Sequence, residues 1–260
     1  MDDADEQPRR RRRGIYLLPN LVTTGGLFAG FYSIVAAIDG NFVNAAIAII
    51  VAGILDGLDG RVARLTSTET DFGKEFDSLA DMVSFGLAPS IVTYQWGVER
   101  LSEYGAAWGR VGWLCAFLYT VAAAFRLARF NSRPAREKRF FQGLPSPSAA
   151  GGVAATVWLS TKYDVAGLVA LLGGSGITLI AGLLMMSSFH FYSFKDLNAN
   201  AKVPFQGVLV PALILVLISI DPPVVCFILF VVYSSSGPLV WVWRRRRSKT
   251  AEAVVDQPDS

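Results

Sequence analysis

Long apolar runs alternate with short polar breaks along this chain, and the breaks carry turn signals. An apolar stretch over 20–38 ends at Asp39-Gly40-Asn41, and a second runs from 44 to 64. Polar residues 65–72 separate it from a third over 73–96, and Glu99, Arg100 and Glu103 mark the next break. Further stretches cover 111–130, 146–163, 165–188, 204–220 and 222–243, with a basic loop through Arg139 after the fourth. A membrane-spanning helix needs about 20 apolar residues, so the pattern predicts an all-α polytopic membrane bundle of about eight transmembrane helices. Pro19-Asn20 reads as the start of the first helix with Asn20 as its cap, and Gly73 as the start of the third. Gly53 and Gly57 form a G-x-x-x-G on the second helix, a spacing that permits close helix contact.

Composition supports the same reading. With 52% apolar and 17% charged residues among 260 and a mean hydropathy of +0.41, the chain is too apolar for an ordinary soluble domain. The first apolar run continues past the length of a signal-peptide core and lacks a small-residue cleavage pattern, so no cleavable leader is expected. Cys115 and Cys226 both lie in apolar runs and read as buried thiols, without metal-binding spacing.

Charge sets the orientation. In the eight-helix arrangement 21 of the 24 Lys and Arg residues fall on one side, leaving Arg100, Arg110 and Lys162 opposite. The positive-inside rule then puts both termini at the cytoplasmic face. Arg9 to Arg13 directly precede the first helix, which suits contact with anionic membrane lipid better than with nucleic acid. The chain divides into a basic cytoplasmic tail (1–19), a membrane core (20–190), a cytoplasmic loop with two additional helices (191–243) and a basic, then polar, tail (244–260).

The chemistry concentrates at Asp56, Asp59, Gly60, Ala63, Arg64, Gly73, Asp77 and Asp81. On helices, Asp56 and Asp59 are i,i+3 neighbours and Asp77 and Asp81 i,i+4 neighbours, so each pair projects from one face. Two such faces turned together make a pocket of four carboxylates, which cannot all stay ionised without cations. Oxygen donors with no His or Cys nearby select Mg2+, Mn2+ or Ca2+, and the number of carboxylates fits two ions about 3.5–4 Å apart. Gly60 and Ala63 leave room against the helix, and Arg64 adds a fixed positive charge. Together these point to a phosphate-bearing substrate.

The spacing D-x2-D-G-x2-A-R-x8-G-x3-D-x3-D resembles the signature of the CDP-alcohol phosphatidyltransferases at every fixed position. The resemblance implies that an alcohol attacks the β-phosphorus of a CDP-activated lipid and releases CMP. It also implies that Asp56, Asp59 and Asp77 hold the metal, with Asp81 near the metal and acting as general base. Gly60, Ala63, Arg64 and Gly73, with Asp56, would then contact CDP-diacylglycerol, and the enzyme would be a homodimer in a bacterial inner membrane.

Three stretches outside that motif resemble the bacterial phosphatidylserine synthases: Ser84-Phe85-Gly86-Leu87-Ala88-Pro89, the run from Phe141 to Gly151, and Tyr192-Ser193-Phe194-Lys195. They imply L-serine as the acceptor. Serine carries a carboxylate that wants a basic partner, and Arg126, Arg129 and Lys195 lie at cytoplasmic helix ends, where they serve either the acceptor or lipid phosphate. Glycerol 3-phosphate or inositol phosphate as acceptor would keep the chemistry but need more basic residues. A transporter would also use intramembrane carboxylates, yet would not need Gly60, Ala63 and Arg64. His190, the one histidine, reads as an interfacial residue.

Overall fold

The turn at Asp39-Gly40-Asn41 organises the first two helices, α1 (Leu17–Ile38) and α2 (Phe42–Thr66). In this computed structural model, which describes residues 17–66, 70–97, 105–132, 140–165, 167–192 and 205–255, Gly40 takes a positive φ of 76° and closes α1. Asn41 then accepts a hydrogen bond from the Asn44 N–H at 3.4 Å, so α2 begins two residues before its expected start. Ala36, Ala37, Ala45, Ala46 and Ala52 are buried, and small side chains let the two helices run close together. Asn20 does not cap α1. Helix is already present at Leu17, and Pro19 sits in its first described turn, where a missing N–H costs nothing.

The third rod has three parts: α3 (Asp71–Asp81), a π-helical turn (Met82–Leu87) and α4 (Ala88–Trp96). Thr70 caps it by accepting a hydrogen bond from the Gly73 N–H at 3.0 Å. Pro89 accounts for the irregular turn. It has no N–H to donate to the Phe85 carbonyl four residues back, and such a buried carbonyl needs another donor. The Tyr119 hydroxyl, fully buried on α5 (Ala106–Asn131), donates to that oxygen at 3.0 Å.

Ser84, inside the π turn, donates to the Gly26 carbonyl of α1 at 3.1 Å and packs against Gly30. A methyl group at Gly30 would lie 2.7 Å from the Ser84 Cα, whereas one at Gly57 would meet nothing within 4 Å. The tight approach is thus between α1 and the π turn, and the G-x-x-x-G of α2 offers only Gly53 to the Phe85 ring. Overpacking costs about 1–3 kcal/mol, so Gly30→Ala lowers the melting temperature in detergent while Gly57→Ala leaves it near wild type.

After α5 come α6 (Ser146–Lys162) and α7 (Leu168–Met186), each preceded by a strand or loop that the helical pattern hid. β1 (Phe140–Gln142) pairs antiparallel with β2 (His190–Tyr192), Phe141 opposite Phe191, and His190 lies in this ribbon opposite Gln142. Three-residue strands are too short to leave a periodic signal. Pro145 forms the N-cap of α6 and Pro147 lies in its first turn, so the Gly-Leu-Pro-Ser-Pro run is a loop leading into a helix.

The last pair is α8 (Phe205–Ile220) and α9 (Pro222–Val255). α9 runs past its expected end at 243, since 244–255 contains neither Gly nor Pro to stop it. The Phe230 ring of α9 packs directly on Gly152 of α6, and the Phe191 ring on Gly237 of α9. At the other end Lys162 Nζ lies 2.9 Å from Asp221 Oδ2, and the Tyr163 hydroxyl donates to the same oxygen at 2.6 Å. Cys115 is buried and Cys226 half-buried, both as free thiols.

Among the described residues the architecture is an all-α polytopic membrane bundle with one small ribbon. Four segments are long and apolar enough to cross a membrane: Leu18–Ile38, Phe42–Ala63, Ala106–Asn131 and Pro222–Trp241.

Candidate functional site

The α2 and α3 helices bring their aspartates together. One carboxylate oxygen from each of Asp56, Asp59 and Asp77 lies within 4.8 Å of the other two. Asp59 is buried, and Asp56 and Asp77 are half-buried. At that separation two like charges repel by at least about 3 kcal/mol even at an effective dielectric of about 20. The three together form a cluster that can coordinate a divalent cation, and an all-carboxylate donor set suits a hard one.

Asp81 lies one helical turn beyond Asp77, outside that cluster but lining the same cavity of about 190 Å³. It is within electrostatic reach of Asp56, Asp77, Asp59 and also Arg126. The pocket therefore has three carboxylates gathered in one place and a fourth beside them, between the cluster and a cation.

α1 contributes what the motif did not reveal. The Thr23 hydroxyl stands 2.9 Å from Asp59 Oδ2 and 3.1 Å from the Pro19 carbonyl, so its single proton is shared between them. Thr23 lines the cavity and steadies the buried carboxylate. Its only sequence signal was a hydroxyl one turn beyond Asn20, which spacing alone could not link to Asp59.

The remaining motif positions divide. Gly60 is exposed, and a Cβ there would meet nothing within 4 Å, leaving open space beside Asp59. Ala63 is half-buried one turn further on. Arg64 is on α2, its side chain outside the described part of the structure. Gly73 is confined: a Cβ would lie 3.0 Å from Thr70 Oγ1 and 3.3 Å from Asn20 Oδ1.

Arg126 and Arg129, both on α5, have different surroundings. Arg126 is buried and donates from Nη1 to Ser146 Oγ at 2.5 Å, at the start of α6. Arg129 donates to the carbonyls of Met185 at 3.2 Å and Met186 at 3.3 Å, at the end of α7. Helix C-termini leave such carbonyls without partners and favour a cation, so Arg129 acts as a cap. Lys195 lies outside the described residues.

Comparison with known proteins agrees with this geometry. The family model of the CDP-alcohol phosphatidyltransferases matches residues 16–188. A CDP-diacylglycerol–serine O-phosphatidyltransferase from Helicobacter pylori (strain J99) is 41% identical over 195 residues, covering 73% of this chain and 77% of that protein. One from Mycobacterium bovis is 31% identical over 263 residues, covering 96% of this chain and 87% of its own. An archaetidylserine synthase from Methanothermobacter thermautotrophicus is 33% identical over 185 residues, 70% of this chain and 72% of that one. With the family model spanning more than half of the sequence and both aspartate-bearing helices, the chain belongs to the CDP-alcohol phosphatidyltransferase family.

Proposed function

We propose that this protein transfers the phosphatidyl group of CDP-diacylglycerol to L-serine, giving phosphatidylserine and CMP. The observation that carries the chemistry is the convergence of Asp56, Asp59 and Asp77 with Asp81 beside them in one cavity. The serine acceptor is supported by relatives that bear that activity in their names.

In this reading Asp56, Asp59 and Asp77 hold a divalent cation, Mg2+ or Mn2+ with Ca2+ as a third option, and Asp81 contributes where two ions bind. The cation neutralises the diphosphate and lowers the pKa of a nearby alcohol. Gly60 and Ala63 leave space for the cytidine diphosphate, Arg64 offers it a positive charge, and Gly73 keeps the start of α3 close to α1. Asp81 takes the proton of the serine hydroxyl as its oxygen bonds to the β-phosphorus and the bond to CMP breaks. A base so placed needs position more than strength.

Arg126 is the partner we assign to the serine carboxylate. Among the described residues its one hydrogen bond goes to Ser146, and a guanidinium has five N–H donors in a fork that matches a carboxylate. Arg126→Lys keeps the charge and loses the fork, so the serine KM rises about tenfold or more while that for the lipid changes little. Arg129→Lys loses a helix cap instead and lowers the melting temperature without selectivity for serine. Steady-state kinetics with each substrate varied, alongside thermal melts, separates the two.

The same reading takes eight helical rods as membrane spans, residues 20–190 as the catalytic core and 191–243 as an appended loop and hairpin. The flanking segments 1–19 and 244–260 are cytoplasmic tails, the site opens to the cytoplasm, and two copies associate. Asp71, exposed at the start of α3, and Asn41, exposed in the α1–α2 turn, test the orientation. In a background without Cys115 and Cys226, cysteine at Asp71 reacts with an impermeant reagent only from the cytoplasmic side, and cysteine at Asn41 only from outside. The reverse labelling would overturn the topology.

The function itself is tested with purified protein given CDP-diacylglycerol and either serine or glycerol 3-phosphate. Serine-dependent CMP release and phosphatidylserine are expected; CMP release with glycerol 3-phosphate and none with serine would sink the acceptor assignment.

A further inference from the structure

Helices α8 and α9 lie outside residues 16–188, and nothing in the aspartate pocket calls for them. Yet α9 is seated on the core along one face. Phe230, Tyr233 and Gly237 are spaced i, i+3 and i+7, which aligns them on one side of a helix. Phe230 fills the surface left open at Gly152, Tyr233 meets Phe191 with ring centroids 5.7 Å apart, and Gly237 makes room for the same Phe191 ring.

These contacts progress toward the start of α6. Gly152 is six residues inside α6, whereas Phe191 pairs across the ribbon with Phe141, in the segment leading to Ser146. Tyr233 is half-buried against a core that includes Leu144 and Ala149, on either side of Ser146, and Ala122 and Ala123, one turn before Arg126. Its phenol is within electrostatic reach of the Arg126 guanidinium.

We propose that Tyr233 is a positioning residue for the acceptor: it holds Arg126 in the orientation that receives the acceptor carboxylate, and makes α9 part of the wall that selects the acceptor. This rests on the reading of Arg126 given above. The physical case is one of charge and stiffness. A long arginine side chain fixed by one hydrogen bond keeps considerable rotamer freedom, and ordering it on binding costs affinity. A neutral hydroxyl from a second helix orients the guanidinium without cancelling its charge, as a carboxylate would. Tyrosine has two stiff torsions, and the Phe191 contact fixes the ring.

The test uses the full-length purified protein and the variants Tyr233→Phe and Arg126→Lys. Initial rates of CMP release are measured with serine and CDP-diacylglycerol varied in turn, together with thermal melts. Tyr233→Phe retains the ring and its packing, so the melting temperature and the lipid KM stay near wild type. Loss of a hydrogen-bonding hydroxyl corresponds to a rise in serine KM of about 5–20-fold. If Arg126→Lys raises the serine KM and Tyr233→Phe leaves it unchanged, the role of Tyr233 is overturned and that of Arg126 stands. If Arg126→Lys itself leaves the serine KM unchanged, or the wild type releases no CMP with serine, the underlying reading fails first. A lower melting temperature with both KM values raised alike would make Tyr233 a packing residue and overturn the proposal.

Discussion

Asp81→Asn lowers kcat by about 10²–10⁴-fold, the range that a positioned general base contributes, and leaves the binding of CDP-diacylglycerol and of the cation close to wild type. The expectation comes from where Asp81 stands. It shares the cavity with the three clustered carboxylates but lies outside the 4.8 Å group, toward Arg126. The amide has nearly the same shape, so packing against α1 and the π turn is retained, while its nitrogen cannot take a proton. An interaction used mainly in the transition state appears in kcat rather than in ground-state binding. Single-turnover CMP release, paired with equilibrium binding of the lipid, measures both quantities. Turnover near wild type would remove Asp81 from the base role. A parallel collapse of cation binding would make it chiefly a ligand.

Asp59→Asn is expected to lose both the cation and turnover. Asp59 is the buried member of the cluster and is held by Thr23, so its oxygen is the best fixed of the three. Changes to outer partners of a metal ligand typically cost about 10–100-fold in affinity or activity. Loss of the ligand itself should exceed that range, and Thr23→Val, which removes only the supporting hydroxyl, should fall within it. Titrating activity against Mg2+ or Mn2+ gives the apparent affinity, and cation-induced thermal stabilisation gives a readout independent of turnover. Full activity of the wild type in excess EDTA would end the metal reading for every aspartate at once.

The readable parts of this sequence were those with a period or a fixed spacing. Apolar runs marked the helices, and Asp56, Asp59, Asp77 and Asp81 announced a pocket because helical geometry turns i,i+3 and i,i+4 pairs to one side. What could not be read depends on contacts between elements distant in sequence. Thr23 supports Asp59 across 36 positions, Tyr119 supplies Phe85 with a donor across 34, and Gly30 matters because Ser84 happens to lie against it. Arg126 and Arg129 were equivalent on a helical wheel and became distinct only when α6 and α7 gave them different partners. The G-x-x-x-G of α2 misled for the same reason: the motif states that close approach is possible, not which helix arrives.

The clasp of Lys162, Tyr163 and Asp221 bears on how the molecule meets its surroundings. In the proposed orientation it faces the outer medium, whose acidity the cell does not control. The hydrogen bond from Tyr163 holds the Asp221 carboxyl below the usual carboxylate range, with the Lys162 ammonium adding to it, and the same bond pushes the Tyr163 phenol above its ordinary value. For a depressed carboxyl the stabilisation is complete above its unfolded pKa of about 4 and fades only as pH falls through the lower folded value; for a raised phenol it is complete below about 10 and fades as pH rises through the higher one. Between those limits the fastening is indifferent to pH. A bacterium moving from neutral to mildly acidic water would thus keep α9 anchored at its outer end, and lipid synthesis inside would be insulated from weather at the surface.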